Sequence, residues 1–476
     1  MDRISNLSNE IICHIVSFLS AKEATVASVL SKRWQNLYTI IPNLEFDNTL
    51  ENQGSLKDFL NGLLALPASS RIKNVSIKRR GRVGPNRHAD LNSFLCNVLK
   101  RGVLKLKLDI WVTLDGVYSL PVEIFTCKTL VELELGSILQ IDLVPENALL
   151  PALKTLIIDA VQFSDQSGCA FQKLLSSCPV LVELRLLNVQ WEHWQWSRRV
   201  SSPTLEKLTM NHRYYFGNIY YDMEGITFDT PSLTTLKYYD LPPKSYPMVN
   251  LDSLVEATIN LTLPLCHAWI RQYARRGDTV PSVTNLIKGL RNVETLNLTS
   301  TDTVDAFYFS HEAIPVFENL HHLSIATERN LCWRTLPYLL KKSPNLKTLV
   351  IEGPLHYNYQ LGDSYESEEI YSNDDDDEDE SESDDDESIC ECLSEYSFLE
   401  SCLVKTVEIT EYSGTKIELK HMKHFLEKLS CLELVKVCSH ERDEEEQVKL
   451  RTNLLNLPRS SKCKIQFELI PPRSLV

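Results

Sequence analysis

The side chains with most to offer chemically sit at fixed places in a recurring run: Leu, two variable residues, an apolar residue, one more variable residue and another apolar residue. Glu132 and Glu134 hold the third and fifth places of Leu130–Leu135, and Glu183 and Arg185 those of Leu181–Leu186. Lys207 is third in Leu205–Met210, Lys237 fifth in Leu233–Tyr238, Asn297 fifth in Val293–Leu298 and His322 third in Leu320–Ile325. Carboxylates, cations, an amide and an imidazole spread over separate runs suit recognition of a partner's polar groups. They do not form the convergent set of nucleophile, base and oxyanion donor that group transfer requires. The sequence carries no Gly-rich phosphate loop, His-Glu-x-x-His helix or nucleophile elbow. A binding protein with no catalytic residues and no cofactor is expected.

Other reactive groups are sparse. Cys390 and Cys392 lie too close together and too isolated for a zinc site, so no metal is expected. Most of the 13 cysteines fall in apolar stretches, where the thiol packs as a small hydrophobe. Trp191, Trp194 and Trp196 cluster after one run, and clustered Trp either anchors an interface or packs under a loop. Ser381 and Ser383 are each followed three residues on by Asp384 and Asp386, the context an acid-directed kinase reads. Lys78-Arg79-Arg80-Gly81-Arg82 is a short basic cluster that reads as a solvated turn or an import signal.

The elements that position these groups follow from the run itself. Leu153–Ile158, Leu254–Ile259 and Leu346–Ile351 repeat the pattern, and Ile72–Ile77 and Val103–Leu108 extend it with β-branched replacements. Self-similarity at this period is the signature of leucine-rich repeats. Each unit supplies a strand whose first, fourth and sixth places face a core, then a turn and an irregular or helical return. One unit cannot bury that face alone, so neighbours stack into an α/β solenoid. Ser177-Cys178-Pro179, Ser202-Pro203, Thr230-Pro231 and Ser343-Pro344 each precede a strand, where Pro pushes the residue before it toward extended geometry and marks a helix end. Two steps are much longer than the rest. The step from Leu254 to Val293 takes in an expected added helix over His267–Arg276, and that from Leu346 to Val404 takes in an acidic run.

The chain of 476 residues has a net charge of −15, but Asp374–Glu387 alone holds twelve acidic residues broken by two serines. The remainder is near neutral and has no basic stripe, which argues against nucleic acid as partner. The acidic run has no apolar anchor and is expected to be a disordered insertion over 362–391. No stretch approaches the roughly 20 apolar residues of a membrane span, and Met1-Asp2-Arg3 begins no apolar leader. These features point to the cell interior, nucleus or cytoplasm, with reduced thiols.

The first 45 residues do not follow the repeat. Ile11, Ile15 and Leu19 fall four apart on one helical face that Ser8 can cap. Ser20 and Glu23 form a capping-box pair, and Leu30, Trp34, Leu37 and Tyr38 make a third stripe before Pro42. Three such short helices are too small a core to stand alone.

Asp2-Arg3-Ile4-Ser5-Asn6-Leu7, Ile15-Val16-Ser17-Phe18-Leu19 and Val29-Leu30-Ser31-Lys32-Arg33-Trp34 resemble a plant F-box over residues 1–45. Ser8 stands where that family usually has Pro, which would pre-set the start of the first helix. Cys402–Ile409, Tyr412-Ser413-Gly414 and Leu457-Pro458-Arg459-Ser460-Ser461 are similar to the FBD region that follows the repeats in plant F-box proteins. The resemblance implies an F-box at 1–45, repeats over 46–361, and an FBD region over 392–476 that continues and caps them. It implies an adaptor subunit of an SCF-type ubiquitin ligase: the F-box docks on a Skp-type linker and through it a cullin scaffold, and the repeats hold an unknown target. Carried over by motif position, Leu7, Ile11, Ile15, Leu19, Leu30 and Trp34 are the linker-binding residues. The alternative is a repeat scaffold not coupled to ubiquitylation.

Overall fold

The first, fourth and sixth places of the run are sunk in the interior. Leu130, Leu133 and Leu135 are fully buried, and so are Leu153, Leu156 and Ile158. A strand has a side-chain period of two, so the third and fifth places of the same runs must project the other way. The computed structural model describes residues 43–48, 72–79, 86–110, 118–136, 139–141, 143–163, 169–188, 198–212, 225–262, 282–327, 335–355, 402–440, 444–460 and 462–470, with Leu7, Ile11 and Leu399. The chain divides into two compact units, Met1–Leu290 and Arg291–Val476.

The strands of the first unit are β1 (Asn43–Asn48), β2 (Asn74–Arg79), β3 (Lys105–Ile110), β4 (Tyr118–Ser119), β5 (Glu132–Gly136), β6 (Leu139–Ile141), β7 (Thr155–Asp159), β8 (Gln162–Phe163), β9 (Glu183–Leu187), β10 (Arg198–Ser201), β11 (Lys207–Asn211), β12 (Ile226–Asp229), β13 (Thr235–Asp240), β14 (Val249–Asn250) and β15 (Glu256–Leu261). The repeat strands pair in the order β1-β2-β3-β5-β7-β9-β11-β13-β15, every described pair parallel. Parallel pairing needs a return connection, and most of these returns carry a second short strand. The second strands form two further parallel ladders, β4-β6-β8 and β10-β12-β14. Helices in this unit are α1 (Asn86–Lys100), α2 (Cys169–Ser176) and α3 (Thr284–Gly289).

The Ser/Thr-Pro signatures divide accordingly. Pro179 follows α2, but Pro203 and Pro231 follow the short strands β10 and β12, not helices. Proline constrains its predecessor to extended geometry, and that suits the end of a second strand as well as the end of a helix. The small polar residues before these prolines are buried, and Ser177 repays its burial by donating its hydroxyl to the Leu174 carbonyl at 2.7 Å.

In the second unit the strands are β16 (Thr295–Leu298), β17 (His322–Ala326), β18 (Thr348–Glu352), β19 (Thr406–Ile409), β20 (Leu434–His440) and β21 (Lys464–Ile470), again parallel and in sequence order. Here four of the returns are described with helices: α4 (Thr301–Phe309), α5 (Leu336–Lys341), α6 (Lys416–Lys428) and α7 (Glu444–Leu455). Ser300 caps α4, its hydroxyl accepting from the Thr303 N–H. A reciprocal capping box of Thr415 and Glu418 starts α6. The region past the acidic run therefore adds three more strands, β19 to β21, to the same parallel stack.

Gly414, immediately before the α6 cap, has φ +74°, and a Cβ there would run into Leu450 Cδ2 on α7. Gly414→Ala combines left-handed strain with overpacking, and is expected to destabilise this unit by about 1–3 kcal/mol. Thermal unfolding checks it: an unshifted midpoint would mean that α7 does not approach this turn closely.

Candidate recognition surface

The parallel register lines up the outward places of successive repeats. One row runs Lys105, Glu132, Thr155, Glu183, Lys207, Thr235 across β3, β5, β7, β9, β11 and β13. The next runs Lys107, Glu134, Ile157, Arg185, Thr209, Lys237. Neighbours in a row stand about 4.8 Å apart along the hydrogen-bonding direction. All six first-unit residues singled out from the sequence lie on these two rows.

They are not chemically equivalent. Glu132 is ion-paired with Lys105 at 2.6 Å and Glu134 with Lys107 at 2.6 Å. These half-exposed pairs do little for stability, but they cancel the charge on β3 and β5. Among the described residues, Glu183, Arg185, Lys207 and Lys237 form no ion pair. Lys207 and Lys237 are exposed, and Glu183 and Arg185 are half-buried. Over β9, β11 and β13 the third and fifth places thus carry three cations and one carboxylate outside any ion pair, and Glu256 on β15 comes next in the first row. The neutralisation was readable in principle: Lys105 and Lys107 hold the third and fifth places of Val103–Leu108, one repeat before Glu132 and Glu134.

In the second unit, Asn297 and His322 also occupy outward places. Beside them, however, Ser324 and Val350 project from the same face and are buried, and the Ser324 hydroxyl donates to Glu352 at 2.5 Å. That part of the sheet face is closed over, unlike β9 to β13.

Sequence reasoning missed a buried polar cluster in the first unit. Arg198 on β10 and Asp240 at the end of β13 form an ion pair at 3.2 Å with side chains 3% and 1% exposed. The second carboxylate oxygen of Asp240 accepts from the Leu241 N–H at 2.9 Å. Next to it the Tyr246 hydroxyl donates to that of Tyr238 at 3.2 Å, and Phe228 packs against both rings. Burial pushes the Tyr238 hydroxyl well above the ordinary range, with Tyr246 and Asp240 adding to the rise. A phenol held protonated and walled off from solvent is a packing group, not an acid or base.

The Tyr412-Ser413-Gly414 stretch is likewise structural. Tyr412 is buried and its N–H donates to the Cys438 carbonyl at 2.9 Å. Glu418 accepts from the N–H groups of Ser413 and Thr415, both at 3.0 Å. Burial raises the Glu418 pKa, opposed by those hydrogen bonds. Cys178 is buried and its thiol is pushed up to about 11 by desolvation, which makes it a poor nucleophile. Among the described residues no group of His, Cys, Asp and Glu could hold a metal ion, and no helix is long and apolar enough to cross a membrane.

Of the six N-terminal residues, Leu7 is half-buried, while Ile11 is helical and 49% exposed. Ile15, Leu19, Leu30 and Trp34 lie outside the described residues, as do the three clustered Trp, the 267–276 segment, Ser381 and Ser383.

Comparison with known proteins settles the family. Residues 4–37 match the F-box domain, and residues 91–248 match the repeats described as those of the FBD-associated F-box protein At5g56370. An Arabidopsis thaliana F-box protein, At3g58960, is 90% identical over the whole of both chains. The chain belongs to the plant F-box/leucine-rich-repeat family. A second F-box/LRR-repeat protein of Arabidopsis thaliana, At3g58980, is 52% identical over 98% of this chain and 74% of its own length. A third, At3g62440, is 47% identical over 99% of this chain and all of its own. Among solved structures, the Leptospira interrogans LRR protein LIC12759 aligns over 90% of this chain and 95% of its own at 15% identity, with a TM-score of 0.27, too low to bear on the fold. The F-box match takes in Leu7, Ile11, Ile15, Leu19, Leu30 and Trp34. The repeat match takes in the first-unit rows of this F-box/LRR protein, and Asn297 and His322 lie beyond it.

Proposed function

We propose that this F-box/LRR protein is a substrate-recognition adaptor of an SCF-type ubiquitin ligase. The observation that carries the reading is an F-box match at residues 4–37 on the same chain as a long repeat sheet. The F-box docks on a Skp-type linker through Leu7, Ile11, Ile15, Leu19, Leu30 and Trp34, and the linker joins it to a cullin scaffold. The exposure of Ile11 supports a contact role for that residue. The repeats hold the target, with Arg185, Lys207, Lys237 and Glu183 on β9, β11 and β13 as the principal contacts and Glu132, Glu134, Asn297 and His322 as lesser ones.

Such an adaptor needs no active site and no cofactor. Its contribution to rate is proximity: target lysines are held near a ubiquitin-charged enzyme bound elsewhere in the complex. The protein works in the nucleus or cytoplasm, with neither nucleic acid nor membrane as partner. Phosphorylation of Ser381 and Ser383 would add charge to the acidic run.

Co-purification with a plant Skp-type linker tests the reading. The full chain is expected to form a one-to-one complex, and the chain from residue 46 onward is expected to form none. If the full chain also fails to bind, the protein is a repeat scaffold outside the ubiquitin pathway.

A further inference from the structure

β21 ends the parallel stack of the second unit, and among the described residues no strand pairs with its far edge. Its inward side chains show that the stack stops short. Val435 and Val437 on β20 are buried, yet their register partners Ile465 and Phe467 on β21 are only partly covered, and Leu469 is 42% exposed. The strand has no bulge and no Pro before Pro471, the devices that usually blunt an edge, and no charge points inward from it.

The hydrogen-bonding groups of that edge follow from the ladder. The Lys464 N–H donates to the Glu433 carbonyl on the β20 side at 2.9 Å. Successive residues of a parallel strand turn their N–H and C=O to opposite sides, so Lys464, Gln466, Glu468 and Ile470 bond toward β20. Ile465, Phe467 and Leu469 therefore direct their N–H and C=O groups outward. The same three residues carry the uncovered inward side chains.

We propose that this edge pairs with β21 of a second copy of the chain, antiparallel and centred on Phe467. In that register Phe467 faces Phe467 of the second copy and Ile465 faces its Leu469. Both are positions where directly opposed residues exchange two hydrogen bonds, so every outward backbone group of the three residues is satisfied. The apolar rows meet on the core side. On the outer side Gln466 opposes Glu468, and Glu468 has both Lys464 and Glu468 of the second copy diagonally across, so the two-fold sets two attractive charged contacts against one repulsive one. The register is self-complementary, as a two-fold interface requires. One strand pair buries less than the standard interface of about 1,600 Å², so the dimer is expected to be of micromolar strength.

Sedimentation of the full chain in complex with its linker, or alone if it binds none, from about 1 to 100 µM reads the association. The wild type is expected to pass from one copy to two over this range. Phe467→Lys sets two like charges face to face at the centre, and is expected to weaken association by about a hundredfold or more. Oxidative crosslinking tests the register. Opposed residues at the centre lie about 5.5 Å apart between Cα atoms, within disulfide reach, so Phe467→Cys should crosslink to itself. Lys464→Cys, six residues out of register with its own copy, should give only the wild-type background. A single copy at all concentrations, a dimer undiminished by Phe467→Lys, or equal crosslinking by the two cysteine variants would each overturn the assignment.

Discussion

Asp240→Ala is expected to destabilise the first unit by about 3–5 kcal/mol. The change leaves the Arg198 guanidinium buried in a site 3% exposed with its carboxylate removed, and strips the Leu241 N–H of its acceptor. Water does not readily take the place of the carboxylate, because the Arg198 side chain is only 3% exposed, and the Tyr238 and Tyr246 hydroxyls that feel its charge are neutral. Hydrogen exchange is the suitable readout in a chain of 476 residues, since it reports the stability of a local ladder. Protection along β12 and β13 should fall by at least about a hundredfold. The pair itself need not be a net stabiliser. Joint replacement, Arg198→Met with Asp240→Leu, removes both charges together and should recover most of the loss. A single Asp240→Ala variant within about 1 kcal/mol of wild type would show that water reaches the guanidinium.

This pair also marks where the sequence stopped being informative. The strand cores were legible because the run fixes three inward places, and even the β-branched versions, Ile72–Ile77 and Val103–Leu108, place their apolar residues in the interior. The helix Lys416–Lys428 carries Leu419, Met422, Phe425 and Leu426 at helical spacing, a period visible in the sequence. The second ladders were not legible. Strands as short as Tyr118–Ser119 and Val249–Asn250 have no periodicity to read, and they exist only because the neighbouring return runs beside them. Arg198 was invisible for the same reason: only the β10-β12-β14 ladder brings it against a carboxylate at the far end of β13. On the recognition face, the pattern gave the direction of every side chain but not its partner. Glu132 and Glu183 hold the same place in their runs and each has a lysine as register partner, Lys105 and Lys207, yet only the first closes an ion pair.

Leu19→Ala combined with Trp34→Ala is expected to abolish capture of the Skp-type linker, a loss on the order of a thousandfold if each is an interface anchor worth about 2 kcal/mol. The two residues belong to separate apolar stripes of the N-terminal module, so their loss removes both. The repeats should be unaffected, because β2 to β15 bury their own core, and the circular dichroism of the double variant should match wild type apart from a small helical loss. Loss of binding alone does not say whether the module came apart or its surface was blunted. Ile11 separates the two. It is 49% exposed, so Ile11→Arg disturbs much less buried packing than the double variant. If Ile11→Arg weakens linker binding by tenfold or more while the module's helicity stays intact, the stripe is a contact surface. Ser8→Pro should work in the opposite sense: Pro in the first turn pre-organises the helix and is expected to tighten binding by a few-fold. Undiminished linker capture by the Leu19 and Trp34 double variant would remove the docking assignment and with it the adaptor role.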